Sequence, residues 1–74
     1  MWTEGHLMIG KNTYYYAVKH YEEGSEYGIN SGRISKMGIT RHNKIVYNYD
    51  RELDVPPADK ETEKAVKILL DRFN

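Results

Sequence analysis

Gly24-Ser-Glu-Tyr-Gly-Ile-Asn-Ser-Gly-Arg-Ile-Ser-Lys-Met37 is the stretch on which the reading of this chain turns. It holds three of the six glycines. Glycine permits left-handed and tightly folded backbone, so Gly24, Gly28 and Gly32 predict a compact turn that feeds the next strand. That strand is expected over 33–40. Within it Ile34 is out of phase with Met37 and Ile39, and a bulge near Ser35-Lys36 restores one apolar face. A second signature, Asn48-Tyr-Asp-Arg51, follows at the end of the neighbouring strand. Arg33 and Asp50 are expected to form an ion pair that ties the two strands.

Towards the N-terminus, residues 13–21 form the strongest strand of the chain. β-branched and aromatic residues dominate it, and neither Gly nor Pro interrupts it. Tyr14, Tyr16, Val18 and His20 share one face; Tyr15, Ala17, Lys19 and Tyr21 share the other, which Lys19 places nearer solvent. Period-2 alternation alone does not decide which face is covered. Residues 2–9 read as a further strand, with Trp2, Glu4, His6 and Met8 on one face and Leu7 and Ile9 on the other. Gly10-Lys11-Asn12 is a turn of hairpin length.

Towards the C-terminus, Arg41-His-Asn-Lys44 is a short connection and residues 45–50 are a strand. Pro56-Pro57 cannot continue a sheet ladder, so 51–58 reads as a linker. A helix is expected over 59–73, with Asp59 as N-cap and Glu61 and Glu63 complementing the helix dipole. Thr62, Ala65, Val66, Leu69 and Phe73 form its apolar stripe. The predicted fold class is α+β: a four-stranded antiparallel meander (strands about 2–9, 13–21, 33–40 and 45–50) with one C-terminal helix (about 59–73) packed on one face.

Seventy-four residues make one domain, 1–74. A chain of this size buries only about 60–65% of its unfolded surface. It has no cysteine, so neither a disulfide nor a Cys-based metal site supports it. Self-association is then the remaining source of stability. No signal sequence and no stretch of membrane-spanning length is visible, so the expectation is a soluble cytoplasmic protein.

No motif points to catalysis or a cofactor. His6, His20 and His42 are not at ligand spacing, so no metal site is expected. Asp50-x-Glu52-x-Asp54 has the spacing of a calcium loop. However, Val55 stands where glycine makes the sharp turn, and two prolines follow. The glycines of 24–38 lack a Gly-Lys-Ser/Thr and a following helix, so they are not a phosphate loop. Ser25, Ser31 and Ser35 have no recognisable base.

Recognition remains. Net charge is zero, from 11 basic and 11 acidic residues. That argues against a general polyanion binder. Yet residues 28–49 carry no Asp or Glu and do carry Arg33, Lys36, Arg41 and Lys44, close to Tyr47 and Tyr49. These six are the candidate binding residues. Seven tyrosines, six of them on strand-like segments, suit protein–protein contact, with another protein or with a second copy. Basic and aromatic residues interleaved on a sheet suit single-stranded nucleic acid, the alternative reading.

In Tyr27-Gly-Ile-x-x-Gly-Arg-Ile-Ser-Lys36 and Asn48-Tyr-Asp-Arg51 the chain resembles a family of short domains of unknown function from Gram-positive bacteria, their phages and mobile elements. Trp2-Thr-Glu-Gly5 and Asp54-x-Pro56 are also similar to that family. Where Gly-Trp commonly follows the Asn-Tyr-Asp-Arg motif, this chain has Glu52-Leu53. The resemblance implies no reaction, cofactor or substrate. It implies a small accessory protein of phage type, acting in the host cytoplasm by binding and blocking a host or defence protein.

Overall fold

The computed structural model describes residues 1–74. Five strands, β1 (Trp2–Ile9), β2 (Asn12–His20), β3 (Ile34–Arg41), β4 (Lys44–Asp50) and β5 (Leu53–Val55), precede one helix, α1 (Lys60–Phe73). The strands form one antiparallel sheet in the order β1-β2-β3-β4-β5. This is the expected α+β meander with one strand more.

Two tight turns set the register. Gly10-Lys11 joins β1 to β2 with Gly10 at φ 61°, the first position of a II′ hairpin turn. His42-Asn43 joins β3 to β4 with φ of 52° and 63°, as a type I′ turn requires. Both loops are two residues long, so β2, β3 and β4 run closer to their turns than the expected bounds. The bulge falls where the phase of Ile34 demanded it: pairing moves from Lys19–Lys36 to His20–Ile34, passing over Ser35.

The fifth strand is a correction to the four-stranded expectation. Residues 51–58 are not all linker. Arg51 turns the chain at φ 63°, and Leu53–Val55 then pairs with β4. Pro56 and Pro57 end this strand without preventing it, because they lie just beyond its last residue.

The helix covers the face that carries Tyr14, Tyr16 and Val18. These pack with Ile34, Met37, Ile39, Val46 and Tyr47 of β3 and β4 against Ala65, Leu69 and Phe73 of α1. Asp59 caps the helix, its Oδ1 accepting from the Thr62 amide at 2.8 Å and from the Thr62 hydroxyl at 2.7 Å. Asn74 closes the other end. Its Oδ1 accepts from the Ile34 amide at 3.0 Å and its Nδ2 donates to the Ile29 carbonyl at 3.1 Å. The helix is thus anchored to the organising turn as well as to the sheet.

Candidate functional site on the uncovered sheet face

Only one face of the sheet has a helix. The other face can be read row by row from the register. Trp2, Lys19, Lys36 and Asp50 form one row across β1 to β4. Glu4, Ala17, Gly38 and Asn48 form the next. His6, Tyr15, Thr40 and Ile45 form the third, and Met8 and Thr13 a short fourth. The second row has small residues at its centre, so the face is hollow there. A trough of about 590 Å³ results, floored by Ala17 and Gly38 and flanked by His6, Tyr15 and Ile45. Large apolar side chains stand exposed on this face: Tyr15 at 58% and Ile45 at 62% beside the trough, Trp2 at 54% and Met8 at 66% elsewhere along β1. The signal for this face was present in the alternation of β2, where Lys19 marks Tyr15 and Ala17 as the solvent side. The hollow was not signalled, because it depends on Ala17 and Gly38 being cross-strand partners.

The six candidate binding residues do not gather on this face. Lys36 alone is there, and its Nζ lies 3.6 Å from Asp50 Oδ1. Arg41 is on the helix side, where its Nη1 donates to the Tyr14 hydroxyl at 2.8 Å and pairs with Asp59 at 2.8 Å. Lys44 is exposed in the hairpin opposite Arg41. Tyr47 is 5% exposed and belongs to the core. Tyr49 donates its hydroxyl to the Tyr27 carbonyl at 3.1 Å. The six candidate residues therefore do not form one surface.

The expected Arg33–Asp50 pair is not formed. Arg33 Nε donates instead to the Asn74 carbonyl at 3.3 Å. The register explains this. Asp50 stands opposite Lys36, and Arg33 precedes the first residue of β3. The tie between the strands is present, but Lys36 makes it.

The glycines of the organising turn are required by close packing. Gly28 and Gly32 have extended backbone that any residue adopts, at φ −77° and −95°. The left-handed residues are Asn30 and Ser31, at φ 53° and 58°. A side chain on Gly28 would run into the Gly32 carbonyl, one on Gly24 would lie 2.7 Å from the Ser31 carbonyl oxygen, and one on Gly32 would meet the Asn74 amide.

The most connected polar cluster lies where the helix begins. The Tyr14 hydroxyl and Asn12 Nδ2 each donate to Glu61 Oε1 at 2.6 Å. Hydrogen bonds from the Thr62 backbone and hydroxyl, then from Arg41, hold the Asp59 carboxyl at a pKa of about 2. Glu61 is shifted down by the Tyr14 and Asn12 hydrogen bonds. Burial, and then donation to Glu61, push the Tyr14 phenol up. These groups satisfy one another and fasten α1 to β2 and β3. No buried side-chain polar atom lacks a partner.

The histidines are spread across the molecule. His6 lies beside Tyr15 on the uncovered face, ring centroids 5.9 Å apart. His20 is hydrogen bonded to Thr3 at 2.8 Å and stacks on Phe73. His42 Nε2 lies 3.2 Å from Asn12 Oδ1. No three His, Asp or Glu side chains converge as metal ligands would. No helix is long and apolar enough to cross a membrane.

The molecule is a small α+β domain: a five-stranded antiparallel meander, backed by one helix and bare on its other face. The chain belongs to the family described as Domain of unknown function (DUF7678), whose model matches residues 1–74. No curated protein and no solved structure matches the chain.

Proposed function

We propose that this domain is a non-enzymatic binding module that acts by protein–protein contact through its uncovered sheet face. The trough over Ala17 and Gly38, flanked by exposed Tyr15 and Ile45 on a face that also exposes Trp2 and Met8, is the observation that supports this reading. Aromatic and Met side chains around a hollow are the usual anchors of a protein interface. The partner is a protein that presents a bulky apolar side chain to the trough. Zero net charge fits such a partner better than a polyanion. The motif resemblance adds a finer reading: an accessory protein of phage or mobile-element type that inhibits or regulates a host or defence protein in the cytoplasm.

The test is capture from a Gram-positive bacterial lysate, using the wild-type chain beside Ala17→Glu and Tyr15→Ser/Ile45→Ser variants. A protein held by the wild type and lost from both variants, each still folded by circular dichroism, supports the face as the docking surface. A protein retained by both variants refutes it. Capture of nucleic acid in place of protein, lost on raising salt, would favour the alternative.

A further inference from the structure

The two edges of the sheet are not alike. β5 is three residues long and is closed by Pro56 and Pro57. β1 is eight residues long, pairs only with β2, and keeps its register without a bulge. It contains no Pro and no Lys, and none of its residues is buried. Edge strands are ordinarily blunted by such devices, and an unprotected one is a template for a further strand.

The hydrogen-bond pattern shows which groups of β1 are free. Met1 and His20 exchange both backbone bonds: the His20 amide donates to the Met1 carbonyl at 2.9 Å, and the Met1 amine donates to the His20 carbonyl at 3.2 Å. In an antiparallel ladder every second residue repeats this arrangement. With the unbroken register, Thr3, Gly5, Leu7 and Ile9 bond to β2. The N–H and C=O groups of Trp2, Glu4, His6 and Met8 therefore point away from the sheet, and their side chains stand on the uncovered face.

We infer that β1 pairs antiparallel with β1 of a second copy, about a two-fold axis at Gly5, to form one continuous sheet. Three observations select this occupant and register. First, a two-fold at Gly5 sets Trp2 opposite the partner's Met8 and Glu4 opposite the partner's His6. Every outward backbone group then finds a complement. Second, the cross-strand side chains match, an apolar pair at each end and a carboxylate facing an imidazole on either side of the axis. Third, the neighbouring registers are worse. Centring on Glu4 sets two carboxylates face to face and carries Met8 past the end of the partner's β1. Centring on His6 sets two imidazoles together and places Trp2 against the Gly10 turn. An isologous contact of this kind closes on itself as a dimer. The backbone groups of the edge make the pairing; Glu4 and His6 also line the trough, but its floor at Ala17 and Gly38 and its far wall at Ile45 lie outside β1, so the pairing stands whether or not the face binds another protein.

Size-exclusion chromatography with light scattering on the full chain is the first test. The expected mass rises with concentration towards twice the 8.7 kDa of one chain. Glu4→Pro removes only an outward N–H, so it is expected to fold and remain a monomer at every concentration. A wild-type chain that stays monomeric, or a folded Glu4→Pro variant that still dimerises, overturns the inference. Engineered thiols read the register independently, because the chain has no cysteine of its own. Hydrogen-bonded cross-strand pairs have Cα atoms about 5.5 Å apart, within the ~4.4–6.8 Å range of disulfides. A mixture of Glu4→Cys and His6→Cys chains is expected to cross-link as a heterodimer on oxidation, while neither cross-links alone. Self-linked Glu4→Cys or His6→Cys chains, or no cross-link at all, would overturn the Gly5-centred pairing.

Discussion

Gly28→Ala tests whether packing or backbone conformation explains the glycines of the organising turn. Gly28 sits at φ −77°, ψ 159°, where alanine is unstrained. On conformational grounds alone the substitution would stabilise the protein by about 0.4–1 kcal/mol, through lost freedom in the unfolded chain. Packing opposes this. The new methyl group would overlap the Gly32 carbonyl oxygen, and would lie 3.0 Å from the Gly32 carbonyl carbon and 3.1 Å from the Ile34 carbonyl oxygen. All three are backbone atoms, and Ile34 is held in turn by Asn74. Overpacking typically costs about 1–3 kcal/mol, and an immobile backbone places this site at the upper end. The net expectation is a loss of about 2 kcal/mol, set against a total of roughly 4–11 kcal/mol for a chain of this length. That corresponds to a fall in Tm of about 10 °C. Gly38→Ala is the control: its nearest atom would be Asn48 Oδ1 at 3.4 Å, an ordinary contact with a side chain. It is expected to be neutral or stabilising by up to about 1 kcal/mol. Urea and thermal melts followed by far-UV circular dichroism measure both. A Gly28→Ala variant as stable as the wild type, or a Gly38→Ala variant equally damaged, would refute the packing explanation.

Three further outcomes follow from the two ends of the helix. Tyr14→Phe removes the hydroxyl that bridges Arg41 and Glu61; urea melts should show a loss of about 0.5–1.5 kcal/mol, and unchanged stability would mean that the cluster contributes nothing. Asp59 and Glu61 bind protons less readily in the fold than in the unfolded chain. Their contribution is complete above the ordinary carboxylate range and is lost as pH falls through the lowered values, which for Asp59 means towards about 2. Asp59→Asn keeps a capping oxygen but not the charge, so the fall in Tm between neutral and acid pH should be shallower than in the wild type; an identical acid limb would contradict this. Asn74→Ala removes the partners of the Ile34 amide and the Ile29 carbonyl. The expected cost is about 1–3 kcal/mol, with faster hydrogen exchange at Ile34 than at Val18; unchanged exchange at Ile34 would argue against the clamp.

Much of the fold was legible because it rests on local signals. The unbroken β-branched and aromatic run of β2, the Asp59 cap and the helical stripe each appear within a few consecutive residues. The bulge at Ser35 was also readable, since Ile34 had to rejoin the face of Met37. What escaped depends on pairing between distant residues. β5 offers three residues beside two prolines, too short a run for alternation to identify. Charge alone matches Arg33 with Asp50, but the register, set by the two-residue turn at His42-Asn43 and then shifted by one at Val46, gives Asp50 to Lys36. Tyr47 looked available for stacking. The extra residue Val46, bulged opposite Thr40 and Ile39, keeps Tyr47 on the covered side.

The most distinctive local sequences prove to be internal fasteners. In Asn48-Tyr-Asp-Arg51, Asn48 donates to Asp54 at 3.0 Å, Tyr49 reaches the Tyr27 carbonyl, Asp50 meets Lys36, and the Arg51 amide donates to the Ser35 carbonyl at 3.0 Å. The motif thereby joins the end of β4 to the turn before β3. Glu52-Leu53, which departs from the Gly-Trp of the resemblance, lies beside it on the surface, with Leu53 54% exposed. A side chain engaged in such a contact is not free to meet a ligand. The residues that are free, Trp2, Met8, Tyr15 and Ile45, carry no local signature, because strand alternation yields only which face they share. Two sets of substitutions should therefore separate. Tyr49→Phe should weaken the fold by about 0.5–1.5 kcal/mol, without altering the uncovered face. Tyr15→Ser and Ile45→Ser should change stability by no more than about 0.5 kcal/mol, while abolishing contact with any protein seated in the trough. Comparable destabilisation by the face variants would mean that those side chains support the sheet, and the case for the face as a recognition surface would fail.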